Sequence, residues 1–184
     1  MMRIITGKAK GIKLKTLEGM TTRPTAERVK EAVFSALQFD IEGRKVLDLF
    51  AGSGQMALEA VSRGATAAVL VDKSIDAIKT IKENTLRTGL ADSCLVYNCD
   101  ALDFLKRLSK DKFDIVFIDP PYASDLYHSI LDGLLVYGAV KPTSIIVCES
   151  DSDIVTADVL EKYELLKSNR YGRIHITMLK PLII

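Results

Sequence analysis

The stretch VLDLFAGSG, Val46 to Gly54, decides the fold of this chain of 184 residues. Four of its first five residues are apolar, as in a strand buried inside a sheet. Gly52 and Gly54 then allow the backbone to turn sharply and to approach a ligand that a Cβ atom would obstruct. The spacing is not GxGxxG and no Walker lysine follows, so the turn gives little support to a phosphate-binding loop. Asp48, near the end of the strand, would repel a pyrophosphate and suits a ligand that carries an amino group.

Apolar strands alternate with helical patterns on both sides of this stretch. The predicted strands are Lys45–Phe50, Ala67–Val71, Leu95–Tyr97, Ile115–Ile118 and Ser144–Cys148, and the predicted helices are Pro24–Leu37, Gln55–Ser62, Ile75–Asn84, Leu102–Leu108 and Leu126–Tyr137. Two further extended stretches, Tyr163–Lys167 and Arg173–Leu179, follow one another without a long helix between them. We therefore expect an α/β fold: a mostly parallel seven-stranded sheet with an antiparallel C-terminal edge hairpin and helices on both faces.

The composition is that of an ordinary globular protein, with 48% hydrophobic and 27% charged residues. No apolar run approaches the roughly 20 residues that cross a bilayer, and we expect neither a leader nor a membrane partner. Three cysteines without CxxC spacing, Cys94, Cys99 and Cys148, indicate small buried residues in a reducing compartment. These features predict a cytoplasmic protein without a metal site.

The charge is unevenly distributed along the chain. Residues 1–30 contain eight Lys and Arg against two Glu, which gives +6, whereas the whole chain carries +1 and the remainder therefore −5. We expect a basic N-terminal extension, a hairpin of residues 1–22, ahead of one domain formed by residues 23–184. Lys8, Lys10, Lys13 and Lys15 would then line one face of that hairpin. A basic end of this kind is typical of proteins that bind polyanions, although lysines that decorate an exposed hairpin would give the same pattern.

An acid closes each of the first three predicted strands. In an open parallel sheet, ligands bind outside the carboxyl ends of the strands, where the strand order reverses. Asp48 closes the first strand, Asp72 follows the second and is placed to accept hydrogen bonds from a ribose diol, and Asp100 follows the third and is placed to reach an adenine amine. Amino acid, ribose and adenine together describe S-adenosylmethionine. For Asp72 and Asp100, helix capping remains an alternative.

The fourth strand ends abruptly in the stretch FDIVFIDPPYAS, Phe113 to Ser124. Pro120 and Pro121 lack an N–H group, so this loop presents acceptors rather than donors to a ligand. The alternative is a turn that merely terminates the strand and carries an aromatic staple.

The chain resembles class I S-adenosylmethionine-dependent methyltransferases, and DPPY matches their [DNS]PP[YFW] signature for methylation of exocyclic amines. This resemblance implies that Asp119 and the Pro120 carbonyl accept hydrogen bonds from such an amine, while Tyr122 stacks on the extruded base. RxxxGKxKGIKL, TRPTAERVKEAVFSAL, DLFAGSG, EAVSRGA and DPPY together resemble the RsmD family, bacterial methyltransferases of a guanine N2 in 16S ribosomal RNA. The chain departs from that family at Gln55, Met56 and Ala57, where small or apolar residues such as Ala-Leu-Gly are common. The resemblance implies a Rossmann-like fold. The implied catalytic residues are Asp119, Pro120, Pro121 and Tyr122. The implied cofactor-binding residues are Asp48, Phe50, Ala51, Gly52, Ser53, Gly54, Asp72, Lys73, Asp100 and Ala101.

The implied partner is 16S ribosomal RNA or the small ribosomal subunit, bound by a monomer without an obligatory protein partner. Cations in the first 30 residues would then bind its phosphates: Lys8, Lys10, Lys13, Lys15, Arg23 and Arg28. Arg170, Tyr171 and Arg173, at the turn of the last hairpin, are interpreted as a solvated turn, with contact to RNA as the alternative. Two alternatives stay open, an adenine-N6 methyltransferase acting on DNA or RNA and a non-catalytic ribosome-assembly factor.

Overall fold

The computed structural model describes residues 2–17, 24–109, 112–121 and 124–182. Its helices are α1 (Pro24–Ala36), α2 (Gln55–Ser62), α3 (Ile75–Thr88), α4 (Ala101–Lys106), α5 (Ser124–Val136) and α6 (Ala157–Lys162), with one 3₁₀ turn at Ala91–Ser93. Its strands are β1 (Lys45–Asp48), β2 (Ala67–Asp72), β3 (Cys94–Asn98), β4 (Phe113–Ile118), β5 (Val140–Ser150), β6 (Tyr163–Tyr171) and β7 (Ile174–Pro181). None of the helices in these ranges is long and apolar enough to cross a bilayer.

The described strands form one sheet in the order β3-β2-β1-β4-β5-β7-β6. The first five strands pair in parallel, whereas β7 runs antiparallel to both β5 and β6. The strand order reverses between β1 and β4, because the chain moves outward through β2 and β3 and then returns to the other side of β1. This reversal opens a crevice at the carboxyl ends of the strands, where α/β proteins bind their ligands.

Two hydrophobic clusters cover the two faces of the sheet. On one face, α1, α2 and α3 pack through residues such as Val33, Leu58 and Ile81. On the other face, α4, α5 and α6 pack through residues such as Leu105 and Ile130. Strands β1 and β4 contribute alternate residues to both clusters, which explains why they are continuously apolar.

The N-terminal extension is docked on α2 and shares its hydrophobic cluster. Ile4, Ala9 and Leu14 belong to the same buried cluster as α1 and α2. Gly7 adopts φ +89°, and a Cβ atom there would lie 1.8 Å from the Ser62 carbonyl oxygen. Glycine is therefore required where the extension turns against the end of α2.

Glu59 of α2 joins the extension to the rest of the molecule. Its buried carboxylate accepts hydrogen bonds from the backbone N–H groups of Ile5 (2.8 Å) and Thr6 (3.0 Å). It also forms ion pairs with Arg63 at 2.8 Å and with the buried Lys30 at 3.4 Å. Burial lowers the pKa of Lys30, an effect that the neighbouring Glu59 charge partly offsets.

The predicted architecture is confirmed, with differences in detail. Helix α3 and strand β6 each end four residues later than predicted, and β1 ends two residues earlier. Helix α6 was not expected from the sequence, and β5 extends four residues earlier and two residues later than the predicted Ser144–Cys148. The four lysines of the extension do not line one face of a regular hairpin, because Lys8 and Lys10 lie in the turn around buried Ala9. A single antiparallel bridge joins Arg3 to Lys13 in the described part of the extension. The expected domain boundary at residues 22–23 lies outside the described residues.

Candidate functional site

Three carboxyl groups lie at the ends of three neighbouring strands, β1, β4 and β5. Asp48 pairs with Phe117, and Phe117 pairs with Val147, so these three residues lie on one face of the sheet. Asp119 lies two residues beyond Phe117, and Glu149 lies two residues beyond Val147. Because side chains alternate along a strand, Glu149 lies on the face that carries Asp48, and Asp119 directly follows β4, the strand between them. The Asp119 charge raises the pKa of both Asp48 and Glu149.

Asp48 is a buried acid beneath the glycine turn, with only 4% of its surface exposed. Its carboxylate accepts hydrogen bonds from the backbone N–H groups of Phe50 and Ala57. Burial and then the nearby Asp119 charge raise the pKa of Asp48 to about 7, against the opposing effect of these two donors. Asp48 therefore holds the start of α2 in place. A cationic ligand would stabilise the negative charge of its carboxylate.

Asp119 and Glu149 form a second pair of perturbed acids. Asp119 is exposed to solvent on one side, and desolvation by the protein around it raises its pKa to about 6. Burial and then the Asp119 charge raise the pKa of Glu149 to about 8. Among the described residues, none donates a hydrogen bond to the Glu149 side chain, whose backbone carbonyl accepts one from the Tyr127 hydroxyl. The pair is thus open to a ligand that donates hydrogen bonds.

The glycine turn after β1 is held against the end of β2. The Gly52 N–H donates to Asp72 at 2.8 Å, and the other Asp72 oxygen accepts from the Ser74 N–H at 2.8 Å. The Ala51 N–H donates to the Val71 carbonyl at 3.0 Å. Gly54 adopts φ +81° and precedes α2, where an added Cβ atom would lie 3.1 Å from Leu70. The turn therefore has a fixed shape that allows the backbone to approach a ligand closely.

The remaining predicted cofactor residues follow the same edge of the sheet. Asp100 caps α4 by accepting a hydrogen bond from the Leu102 N–H at 2.8 Å, so the capping alternative applies to one of its oxygens. Ala101 begins α4 and is buried, as is Ser53, whereas Phe50 is half-buried and Lys73 is exposed. The structure brings these residues to one edge of the sheet. Their contact with a cofactor stays a prediction.

The loop after β4 provides the other wall of the crevice. Pro120 is buried and Pro121 is exposed, directly after Asp119. Tyr122 lies outside the described residues, so its predicted stacking role stays a prediction.

The predicted RNA-binding cations are spread over the surface. Lys8, Lys10, Lys13 and Arg28 are exposed and, among the described residues, make no ion pair. Lys15 instead pairs with Glu83 at 2.6 Å, and its backbone bonds to Asn84 next to the glycine turn. Arg23 lies outside the described residues. The structure thus places these cations on both sides of α2 rather than in one row.

Two residues at this edge are absent from the residues predicted from sequence. Glu149 carries the same signal as the other acids, since it directly follows the apolar run of β5. Asn98, at the end of β3, donates to the backbone carbonyls of Asp72 and Lys73 at 3.0 Å each, which fixes the end of β2. The Asn98 contacts have no local sequence signal, because they depend on the pairing of β2 with β3.

No group of three His, Cys, Asp or Glu side chains in the described ranges is arranged to bind a metal. The three cysteines are free; Cys148 is buried, as expected from the sequence, whereas Cys94 and Cys99 are only half-buried.

Comparisons with known proteins agree with this arrangement. The family model described as "Conserved hypothetical protein 95" matches residues 2–180. "Ribosomal RNA small subunit methyltransferase D" of Haemophilus influenzae is 35% identical over 176 residues, covering 93% of this chain and 89% of that protein.

Solved structures show the same relationship. The structure of "Putative methyltransferase yhhF from Escherichia coli" superimposes with a TM-score of 0.88 at 30% identity, covering 98% of this chain and 97% of that chain. A structure described as "SMU.776, a putative methyltransferase complexed with SAH" shares the fold at 18% identity, with a TM-score of 0.69 over 82% of this chain and 49% of that chain. With the family model matching nearly its whole length, this chain is a member of the RsmD family of methyltransferases.

Proposed function

We propose that this protein transfers a methyl group from S-adenosylmethionine to the exocyclic N2 amine of a guanine in small-subunit ribosomal RNA. One observation carries the proposal: Asp119 follows β4 at the switch point, next to Asp48 and on the same edge as the glycine turn. The name of the Haemophilus influenzae relative supports ribosomal RNA as the substrate.

The edge of the sheet fits the proposed cofactor in charge and shape. S-adenosylmethionine, when bound, supplies a methyl group on a positively charged sulfur. Asp48 would stabilise positive charge, because its carboxylate is buried and its pKa is raised to about 7. Asp72 and Asp100 each use carboxylate oxygens to accept backbone N–H groups, yet a carboxylate offers about four acceptor positions in total. Both therefore retain acceptor capacity for a ribose and an adenine.

Asp119 would act by positioning the target amine and by accepting charge. The lone pair of a guanine N2 is delocalised into the ring, so the amine is a poor nucleophile. A carboxylate that accepts its N–H hydrogen orients the lone pair and stabilises positive charge as it develops on nitrogen. The carboxylate is also available for the proton that the nitrogen loses afterwards. Because its pKa is raised to about 6, Asp119 is a better proton acceptor than an ordinary aspartate and is still ionised near pH 7.

Glu149 adds a second acceptor beside Asp119. At neutral pH the pair carries about one negative charge, since the pKa of Asp119 is raised to about 6 and that of Glu149 to about 8. A guanine presents two donors next to each other, N1–H and N2–H, whereas adenine presents an acceptor at N1. Two neighbouring acceptor groups on the protein match the two donors of guanine.

Identification of the labelled nucleoside tests the proposal. The protein is incubated with radiolabelled S-adenosylmethionine and either naked 16S ribosomal RNA, small-subunit particles or DNA, and the product is digested to nucleosides. We expect label in N2-methylguanosine from RNA or particles, and none with Asp119→Ala protein. Label in N6-methyladenine would replace guanine by adenine in the proposal, and absence of label from all three substrates would refute methyl transfer.

A further inference from the structure

We propose that the tip of the β6–β7 hairpin is a second RNA-binding surface, which binds phosphates of the strand next to the target nucleotide. This hairpin-tip surface consists of Lys167, Arg170, Tyr171 and Arg173. It replaces the solvated turn expected from sequence, and it rests on the proposed function because it takes RNA as the substrate.

The charge of the C-terminal hairpin is divided between its two ends. Residues 165–184 contain four Lys and Arg and no Asp or Glu. At the far end of the hairpin, Lys162 pairs with Asp132 at 2.7 Å and Lys180 pairs with Glu164 at 3.7 Å. At the tip, by contrast, no acid in the described ranges forms an ion pair with the three cations Lys167, Arg170 and Arg173. The uncompensated positive charge is therefore concentrated at the tip.

The tip has a defined shape. The Arg170 Nε–H donates to the Gly172 carbonyl at 2.8 Å across the turn, and Gly172 adopts φ +65°. The Asn169 side-chain amide donates to the Tyr171 hydroxyl at 3.5 Å. The Arg170 contact orients its guanidinium without neutralising the charge, so part of the ordering of this side chain precedes phosphate binding.

Strand register places the tip on the same edge as the target loop. Ile118, which precedes Asp119, pairs with Cys148 of β5, and Ser150 of β5 pairs with His175 of β7. His175 pairs in turn with Arg170 of β6. Strand β6 lies three strand spacings from β4, which corresponds to roughly 14 Å. A strand whose base enters the crevice at Asp119 would thus pass the hairpin tip within a few nucleotides.

A small depression lies beside the tip, between β6, β7 and α1. Its lining includes Lys167, Asn169 and Tyr171 of β6 and Ala32 of α1. Exposed Arg28 lies one helical turn before Ala32 on the same side of α1. Cations beside an aromatic ring on an exposed surface are features by which proteins hold single-stranded nucleic acid, through phosphate contacts and base stacking.

A charge-matched pair of double variants tests the surface. Lys167→Ala/Arg173→Ala removes two tip cations without touching the Arg170 bond that orders the turn, and Lys162→Ala/Lys180→Ala removes two cations from the far end. Binding to 16S ribosomal RNA is measured by fluorescence anisotropy over a range of salt concentrations. We expect the tip variant to bind about tenfold more weakly, with a salt slope reduced by about one per cation. The far-end variant should keep wild-type affinity and slope.

Two outcomes would overturn the surface: a tip variant with wild-type affinity and salt slope, or a far-end variant that loses as much as the tip variant. Methylation kinetics separate this result from the proposed function. We expect a higher KM for RNA in the tip variant, with unchanged kcat and unchanged S-adenosylmethionine affinity. A wild-type protein that binds RNA through the tip but transfers no methyl group would refute the proposed function and support the surface. If the tip variant methylates RNA with the wild-type KM, the hairpin-tip surface is refuted and the proposed function is not.

Discussion

The Asp72 carboxylate accepts a hydrogen bond from the Gly52 N–H at 2.8 Å, which joins the end of β2 to the glycine turn after β1. Asp72→Ala removes this bond together with the bond to the Ser74 N–H. It also removes the carboxylate that we propose as the acceptor for the ribose. Since a hydrogen bond to a charged group contributes about 1.5–3 kcal/mol, we expect S-adenosylmethionine to bind roughly tenfold to a hundredfold more weakly. Isothermal titration calorimetry measures the change. Asp76→Ala is the control, because Asp76 is an exposed acid of the next helix, and equal affinities of the two variants would contradict a role for Asp72.

Asp119→Asn keeps the shape of the side chain but removes its charge and its capacity to accept a proton. We expect kcat to fall about 10²- to 10⁴-fold, because that charge would orient the amine and stabilise the developing cation. Affinity for S-adenosylmethionine should stay within a few-fold of wild type. Single-turnover methylation of 16S ribosomal RNA measures the chemical step, with Asp132→Asn as an exposed control on α5. A normal single-turnover rate in Asp119→Asn would rule out this role for Asp119.

Local patterns predict the core of this fold because β1, β2 and β4 are buried on both faces and helices follow them. The helix Gln55–Ser62 is predicted to the residue, since a glycine turn defines its start and Gly64 follows its end. Helix α6 is not predicted by the same reasoning, because it has only six residues and only Val159 among them is buried. Strand β5 is predicted too short because Lys141, Pro142 and Thr143 interrupt its apolar pattern.

Contacts between distant parts of the chain explain what sequence patterns do not predict. The bonds from Ile5 and Thr6 to Glu59 join residues more than 50 positions apart, so the docking of the extension has no local signal. Asp48, Asp72 and Asp100 are predictable because each ends or follows an apolar strand. That Asp119 lies next to Asp48, and Glu149 next to Asp119, depends on the strand order β1-β4-β5, which only the folded sheet reveals.

The raised pKa of Asp48, about 7, predicts that cofactor binding depends on pH. Below pH 7 the free protein holds a proton on Asp48, and a cationic cofactor favours the ionised carboxylate, so binding releases that proton. Affinity for S-adenosylmethionine should therefore rise with pH, approaching tenfold per unit below pH 7 and levelling above it. Asp119, whose pKa is raised to about 6, adds to the dependence at the acidic end.

Calorimetry in two buffers of different ionisation enthalpy measures this proton release directly. Asp48→Asn should flatten the dependence between pH 6 and pH 8, because the amide has no proton to release. A wild-type affinity that stays constant over this range, without proton exchange with the buffer, would contradict a cation-binding role for Asp48.

Glu59→Ala should lower the free energy of unfolding far more than the substitution of an exposed helical acid would. The substitution leaves Lys30, only 3% exposed, without its charge partner, and it removes the acceptor for two backbone N–H groups of the extension. Loss of one partner from a buried ion pair costs about 3–5 kcal/mol. Urea unfolding measures the change, with Glu83→Ala as the control because Glu83 pairs with Lys15 at the surface. A loss in Glu59→Ala no larger than that in Glu83→Ala would show that the extension docks without this carboxylate.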